Sequence, residues 1–287
     1  MGGALWNDND IDIERVAMNF ATTNPVSLRH LDRSELPHYV ARQLGHFFPL
    51  PGASAETLAA ELATPVARAL DRLGHCFAGI HRRKFQDAAG PAFNPLHPDH
   101  YAMFLYLLAN SLHASRSDQE VRDLESIQQG RDLDRIQQGR DLDRIQQGRD
   151  LDRIQQGRDL AFRVYYLNKA LHGVDVFPDV ALPAVFQFMH ATGTVIGNAR
   201  FGGHFCIYQN CTVGSNEAGD YPEFGDGVVM YTGARVIGRC RVGSNVVIGA
   251  NALIIDRDVP DNTVAIAGEL KVRLLPNTTP VIERRFS

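Results

Sequence analysis

Cysteines and histidines are the residues of this sequence whose types and spacing bear most directly on chemistry. The four cysteines, none of which forms a C-x-x-C pair, are Cys76, Cys206, Cys211 and Cys240. Zinc sites and redox centres commonly use such close pairs, so we interpret these residues as reduced thiols in small core positions. His190 and His204 lie in the C-terminal third. Since a protein zinc site needs at least three ligands, we expect no metal. A single neutral imidazole can still act as a general base.

The composition excludes several broad classes of protein. The chain has 287 residues, of which 44% are hydrophobic and 22% charged, which is typical of a globular protein with a substantial core. The net charge of −4 provides no basic field for nucleic acid, so we expect no nucleic-acid partner. The longest apolar run, residues 102–109, is too short to span a bilayer. The acidic N-terminus lacks the basic region of a signal peptide, so we predict a cytoplasmic protein.

Residues 1–121 are predicted to form an α-helical domain. Ser34 is a candidate cap for a helix over residues 35–46. Thr64 and Pro65 have the residue types favoured at the N-cap and first position of a helix, which predicts a helix up to about residue 83. Pro98 is predicted to open a third helix that ends near residue 113.

A near-perfect tandem repeat follows over residues 122–160. The unit IQQGRDLDR has a period of nine residues, and its copies begin at Ile127, Ile136, Ile145 and Ile154. Nine residues make two and a half helical turns, so the apolar pair moves to the opposite face in each copy and no coiled-coil stripe results. We predict a helical spacer whose charges cancel, with a mobile insert as the alternative.

A second repeat, with a period of six residues, occupies the C-terminal third. A coil of a parallel β-helix is built from three such hexapeptides, with the apolar residue pointing inward. The recurring residues are Val195, Phe201, Ile207, Val213, Phe224, Met230, Val236, Val242, Ile248, Ile254, Pro260 and Ile266. We therefore predict a β-helix over residues 183–268, preceded by a connecting helix and entry segment at 161–182 and followed by a tail at 269–287. Residues 215–223 interrupt the period and are predicted to form a loop that carries function.

Two stretches of the β-helix carry a family resemblance. HATGTVIG (residues 190–197) and YPEFGDGVVMYTGARVIGRCRVGSNVVIGANALI (residues 221–254) resemble the serine acetyltransferases of the hexapeptide acyltransferase superfamily. The resemblance covers about residues 165–268. It implies an α-helical N-terminal domain followed by a left-handed parallel β-helix, with acetyl-CoA as the co-substrate.

The resemblance also implies a catalytic pair. The general base of the family falls on His190, and the aspartate that orients it falls on Asp175. In such a pair, the imidazole removes the proton of an acceptor hydroxyl, and the carboxylate fixes its tautomer and stabilises the imidazolium.

The same resemblance places the coenzyme in a groove between adjacent subunits of a homotrimer or a dimer of trimers. The family's contacts at small residues fall on Ser215, Thr232 and Ala250. Lys271 and Arg273, just beyond the last coil, are candidates to bind the CoA phosphates.

The sequence departs from the family pattern where the acceptor binds. The family has aspartate where Met189 stands, and Asp220 and Tyr221 replace its arginine and histidine. An aspartate would repel the carboxylate of an amino acid, while Tyr221 would either bind the acceptor or pack against the neighbouring coil. The sequence also ends without the isoleucine that the family inserts into cysteine synthase, so we expect no complex with that enzyme.

These features together predict an acetyl-CoA-dependent O-acetyltransferase. The rebuilt acceptor site favours a saccharide hydroxyl, as in a surface or capsular polysaccharide. The first alternative is a serine O-acetyltransferase of cysteine biosynthesis. The second alternative, from another class, is a non-catalytic β-helix that serves as an assembly module.

Overall fold

The structure is a computed structural model, and it describes residues 26–48, 54–114, 159–269 and 271–286. The nonapeptide copies that begin at Ile127, Ile136, Ile145 and Ile154 fall outside these residues up to position 158. The predicted helical spacer therefore stays a prediction.

The N-terminal part is built mainly from three helices. They are α1 (Leu36–Phe47), α2 (Ala55–Ala78) and α3 (residues 98–114). The third agrees with the helix predicted from Pro98. The start predicted for α2 is wrong, because Ser54 and Thr57 form a capping box that begins the helix upstream and Pro65 lies inside it. The cap predicted for α1 is also wrong, because Glu35 holds the N-cap position.

A small sheet, which the sequence did not indicate, accompanies these helices. It contains β1 (Ser27–Leu28), β2 (Gln86–Asp87) and β3 (Gly90–Phe93), in the order β1-β3-β2. A short 3₁₀ turn at Arg83–Phe85 leads into β2. The strands of this small sheet are too short for an alternating pattern to be visible in the sequence.

A fourth helix, α4 (residues 159–172), leads into three parallel sheets that form the β-helix. The first sheet contains β5 (Val185–Met189), β8 (His204–Tyr208), β11 (Val228–Met230), β14 (Val246–Ile248) and β16 (Thr263–Ile266). The second contains β4 (Val174–Val176), β6 (Thr194–Ile196), β9 (Thr212–Gly214), β12 (Arg235–Ile237) and β15 (Leu253–Ile255). The third contains β7 (Arg200–Phe201), β10 (Glu223–Phe224) and β13 (Arg241–Val242). The architecture confirms the predicted fold class of α-helices followed by a parallel β-helix.

Most of the residues predicted to point into the β-helix are buried, as the period of six requires. Ile207, Val213 and Met230 are each 0% exposed. The prediction is wrong at the two ends. Val195 is 42% exposed while Ile196 is buried, and Val259 is buried where the period had placed Pro260. A shift of one residue exchanges the inner and outer faces of a strand. The period of six therefore predicts the inward residues correctly only where the coils are uniform.

The helical part packs against the first coil of the β-helix and continues its core. The Sγ of Cys76 on α2 lies 3.1 Å from the carbonyl oxygen of Phe186 on β5. On α3, the hydroxyl of Tyr106 donates to the carbonyl of Val180 at 2.7 Å. This packing brings the N-terminal end of α3 to the end of β5. Among the described helices, none combines the length and the apolar character that a membrane span needs.

The chain closes with β17 (Arg273–Pro276), antiparallel to β16, and the short helix α5 (Val281–Arg285). Arg285 is 4% exposed and lies over the rings of Tyr208 and Tyr231, at 5.4 and 5.2 Å from their centroids. These cation–π contacts fix α5 on the outer face of the first sheet.

Candidate active site

His190 stands at a corner of the β-helix, immediately after β5. Its backbone is left-handed, with φ of 51°, and its carbonyl accepts the N–H of Thr192 at 2.7 Å. The side chain is 71% exposed, so the imidazole is open to a substrate. An accessible imidazole is what a general base requires.

The carboxylate nearest to His190 among the described contacts belongs to Asp99, at the start of α3. Its Oδ1 accepts the backbone N–H of His190 at 2.9 Å, and its Oδ2 lies 3.9 Å from Nδ1 of the imidazole. Lys84, which directly precedes Phe85 in the 3₁₀ turn, donates to Oδ2 of Asp99 at 2.6 Å. Asp99 is 4% exposed and Lys84 is 24% exposed, so the carboxylate is shielded from water while the ammonium is partly accessible.

Two further histidines line the inner side of this cluster. His97 and His100 are stacked with 4.3 Å between ring centroids, and His100 also stacks on Phe85. Burial lowers the pKa of His100 to about 3, and burial likewise lowers the pKa of His97. Both imidazoles are therefore neutral near pH 7, and they add no positive charge beside His190.

Asp175, the predicted orienting residue, lies on β4 and is engaged by helix α4. The hydroxyl of Tyr165 donates to its Oδ1 and the ammonium of Lys169 to its Oδ2, both at 2.6 Å. Burial, together with the Asp175 carboxylate, raises the pKa of Tyr165 to about 12. The contacts described for the chain include none between Asp175 and His190, and the assigned role of Asp175 stays a prediction.

Two predicted cofactor residues share a corner with His190. The register of the first sheet pairs Met189 with Tyr208, Ile207 with Met230, and Met230 with Ile248. His190, Thr232 and Ala250 follow these strand ends, so they line up along the same corner. With about 4.8 Å between coils, Ala250 lies about 14 Å along the β-helix from His190.

Arg273 extends this line, because β17 pairs it with Ile266, one coil beyond Ala250. Its side chain is exposed, as is that of Lys271. The arrangement is an imidazole at one end of a row of small residues and cations at the other. It has the length and charge distribution to hold an extended anionic thioester.

The remaining predicted residues lie at a different corner of the same chain. Ser215 follows β9 and is exposed, and Asp220 and Tyr221 belong to the predicted loop, which ends where β10 begins at Glu223. Asp220 is held within its loop by Asn216, whose side-chain oxygen accepts the N–H of Asp220 at 3.0 Å. The Tyr221 ring covers Gly197 so closely that a Cβ at that glycine would collide with it. Tyr221 therefore packs against the neighbouring coil in this chain.

His204 is the other histidine noted in the sequence, and it pairs with Asp226 at 2.8 Å between Nδ1 and Oδ1. Within the described ranges, no group of three or more histidine, cysteine, aspartate or glutamate residues could hold a metal ion. The four cysteines are free and buried, and burial raises the pKa of Cys76 to about 12 and that of Cys206 to about 11. None of these thiols is placed to act as a nucleophile.

Sequence reasoning missed Asp99 and Lys84. An acidic residue after Pro98 reads as an ordinary first-turn residue of a helix, where negative charge is favoured in any case. The only signal in the sequence is that an aspartate and a lysine lie near apolar runs. That signal does not connect Asp99 with His190, which is 91 residues further along the chain.

The chain is similar in sequence to serine acetyltransferases over part of its length. The chain is 34% identical over 105 residues to a serine acetyltransferase of Synechococcus elongatus, covering 35% of this chain and 43% of the relative. It is 37% identical over 103 residues to a serine acetyltransferase of Mycobacterium tuberculosis, covering 34% and 44%. The chain thus matches less than half the length of these curated relatives. No protein-family model matches the sequence.

Solved structures match over a much longer span. A serine acetyltransferase of Neisseria gonorrhoeae in complex with serine has a TM-score of 0.56 and 19% identity, over 86% of this chain and 84% of the other. The Brucella abortus enzyme in complex with coenzyme A has a TM-score of 0.56 and 17% identity, over 88% and 85%. The chain has the serine acetyltransferase fold. At this identity the structural likeness shows the fold alone.

Proposed function

We propose that this chain is an acetyl-CoA-dependent serine O-acetyltransferase with His190 as its general base. The observation that carries the proposal is the corner of the β-helix, where the exposed imidazole of His190 stands in line with Thr232 and Ala250. The fold and the two relatives support the same reading.

The chemistry is a direct transfer in a ternary complex. His190 removes the proton of the acceptor hydroxyl as that oxygen attacks the thioester carbonyl of acetyl-CoA. The tetrahedral intermediate then collapses, the carbon–sulfur bond breaks, and the departing thiolate takes the proton from the imidazolium. The products are the O-acetyl ester and CoA. Because the four thiols are buried and the raised pKa values of Cys76 and Cys206 keep them protonated, no acyl-cysteine step is part of the proposal.

Coenzyme A is proposed to lie along the same corner. The small side chains at Thr232 and Ala250 leave the strand ends open to a pantetheine arm, and Lys271 and Arg273 are placed to meet its phosphates. The coenzyme A complex of the Brucella abortus enzyme supports this choice of ligand.

We infer that the complete site is formed by a homotrimer, with a dimer of trimers as the larger alternative. Ser215, Asp220 and Tyr221 lie at the corner next to that of His190. The face between the two corners is the second sheet, whose outer surface exposes Leu253 and Ile255. A second copy packed on this apolar face would bring its loop of residues 215–223 toward the His190 corner.

The comparisons favour L-serine over the saccharide that the sequence favoured. The named relatives are serine acetyltransferases, and they lend no support to a polysaccharide or capsule role. A saccharide hydroxyl remains the second candidate because of one observation. Asp220 occupies the place of the family's arginine, and within the described contacts no lysine or arginine pairs with it. A carboxylate there would weaken the binding of an amino acid acceptor.

The test is an acceptor panel with acetyl-CoA. Release of CoA would be followed for L-serine, for D-serine as the matched control, and for de-acetylated polysaccharides. The proposal predicts saturable transfer to L-serine and little to D-serine. Transfer to a polysaccharide alone would establish the second candidate. If no acceptor were acetylated and acetyl-CoA did not bind, the non-catalytic assembly module would be the correct reading.

A further inference from the structure

Both carboxylate oxygens of Asp99 are bound by protein groups. Oδ1 accepts the backbone N–H of His190 at 2.9 Å, and Oδ2 accepts the ammonium of Lys84 at 2.6 Å. The residue is 4% exposed. Because the carboxylate is buried and both of its oxygens are bound by protein groups, its effect on the site is exerted through these partners.

The first partner is the backbone of His190. With φ of 51°, His190 adopts a left-handed conformation that residues with a Cβ rarely choose. Such a conformation persists only when surrounding contacts hold it. Asp99 binds the N–H of His190 and Thr192 binds its carbonyl, so both main-chain groups are fixed. The direction in which the imidazole projects follows from this backbone conformation.

The second partner is Lys84, whose ammonium forms an ion pair with Asp99 and holds it in place. A buried carboxylate is stable as an anion only when it is paired and hydrogen-bonded. Lys84 supplies the opposite charge, and the first turn of α3 adds the favourable end of a helix dipole. Oδ2 of Asp99 lies 3.9 Å from Nδ1 of His190, so the imidazolium that forms during proton transfer would lie beside the Asp99–Lys84 ion pair.

We propose that Asp99, held by Lys84, is the positioning residue for His190 in this chain. The inference rests on the proposed function, in which His190 is the base. It assigns to an α3 residue the part that the resemblance gave to Asp175, whose two carboxylate oxygens are bound by Tyr165 and Lys169.

Kinetics of four variants test the assignment. Asp99→Asn keeps an oxygen for the His190 amide but removes the charge, and it should lower kcat by about 10- to 100-fold with the KM for acetyl-CoA unchanged. Lys84→Met should lower kcat in the same way, and Lys84→Arg should restore most of it. Asp175→Asn on β4 is the matched control, because it makes the same change of a carboxylate to an amide at the residue that the resemblance assigns to this role. Asp175→Asn should lower kcat by less than Asp99→Asn does.

Hydrogen exchange of the His190 amide provides a readout that does not depend on activity. Asp99→Ala removes the acceptor, so exchange at this amide should become at least about tenfold faster while the amides of β8 keep their protection. If Asp99→Ala does not fold, the same measurement on Lys84→Met decides, with faster exchange expected. Thermal melting would report any general loss of structure.

The outcomes separate the two proposals. Wild-type protein that acetylates no acceptor would refute the proposed function, and the exchange data would still show whether Asp99 holds His190. Wild-type kcat in both Asp99→Asn and Lys84→Met would overturn the positioning role. So would unchanged exchange at His190 in the alanine variant, or a larger loss of kcat in Asp175→Asn than in Asp99→Asn.

Discussion

Acidification should destabilise the folded chain through two buried histidines. His172 on α4 is bound by Asn168, with 2.8 Å between Nδ1 and Oδ1, and burial lowers its pKa from 6.5 to about 4. His100 on α3 accepts the N–H of Asn94 at 3.2 Å, and burial lowers its pKa to about 3. Both imidazoles are neutral in the folded chain at pH 5, whereas they are protonated in the unfolded chain.

The sign and size of the effect follow from this difference. A histidine whose folded pKa is depressed contributes stability that is present above the unfolded pKa and lost as the pH falls toward the folded pKa. Between pH 6.5 and pH 5, each histidine lowers the free energy of unfolding by about 1.4 kcal/mol per pH unit. Over the whole interval the loss is about 2 kcal/mol for each histidine. His100 and His172 together should therefore reduce the free energy of unfolding by about 4 kcal/mol by pH 5.

Urea unfolding at pH 7 and at pH 5, followed by far-UV circular dichroism, measures this loss. In His172→Gln, an uncharged side chain replaces the imidazole and can still bind Asn168, so the loss should shrink by about 2 kcal/mol. His81→Gln changes an exposed histidine and is the matched control, with the wild-type loss expected. If His172→Gln lost as much stability as the wild type, the buried neutral imidazole would not be the cause.

Four further variants have expected outcomes. Gly225→Ala should destabilise the β-helix by about 1–3 kcal/mol in urea, because its Cβ would lie 2.7 Å from the backbone of Gly243. In Gly45→Ala in α1, the added Cβ would meet nothing within 4 Å beyond the backbone of its own helix. This variant should instead be neutral or stabilising by up to about 1 kcal/mol, and the reverse order would contradict the packing. Thr232→Tyr should raise the KM for acetyl-CoA by at least about tenfold with an unchanged melting temperature, and an unchanged KM would exclude this corner as the coenzyme site. Deletion of residues 136–153, two nonapeptide copies, should leave a trimeric and active enzyme in sedimentation and kinetic assays, and loss of either property would show that the repeats are structural.

The sequence predicted the β-helix well because its period is enforced by geometry. Each coil repeats the same inward position, so residues such as Ile207 and Met230 are identified by spacing alone. The alignment of Thr232 with Ala250 follows from the same period, since three hexapeptides separate them. In the terminal coils, which pack against other elements, the inward position no longer follows the period of six. Val195 therefore points outward.

Contacts between distant parts of the chain could not be predicted in this way. Asp99 meets His190 only because α3 packs on the first coil, across 91 residues of sequence. The start of α2 was missed for a local reason. Pro65 suggested a first helical position, but the capping box at Ser54 and the apolar face of the helix outweigh one lost hydrogen bond.

Formation of O-acetyl-L-serine by wild type and His190→Ala is the sharpest test of His190 as the general base. Purified full-length protein would be mixed with acetyl-CoA and L-serine, and the ester would be quantified by mass spectrometry alongside the release of CoA. With His190 as the base, His190→Ala should fold as the wild type does and lose about 10²- to 10⁴-fold in kcat. Near-normal turnover in that variant would rule out this role, because the β-helix corner would then contain no essential base.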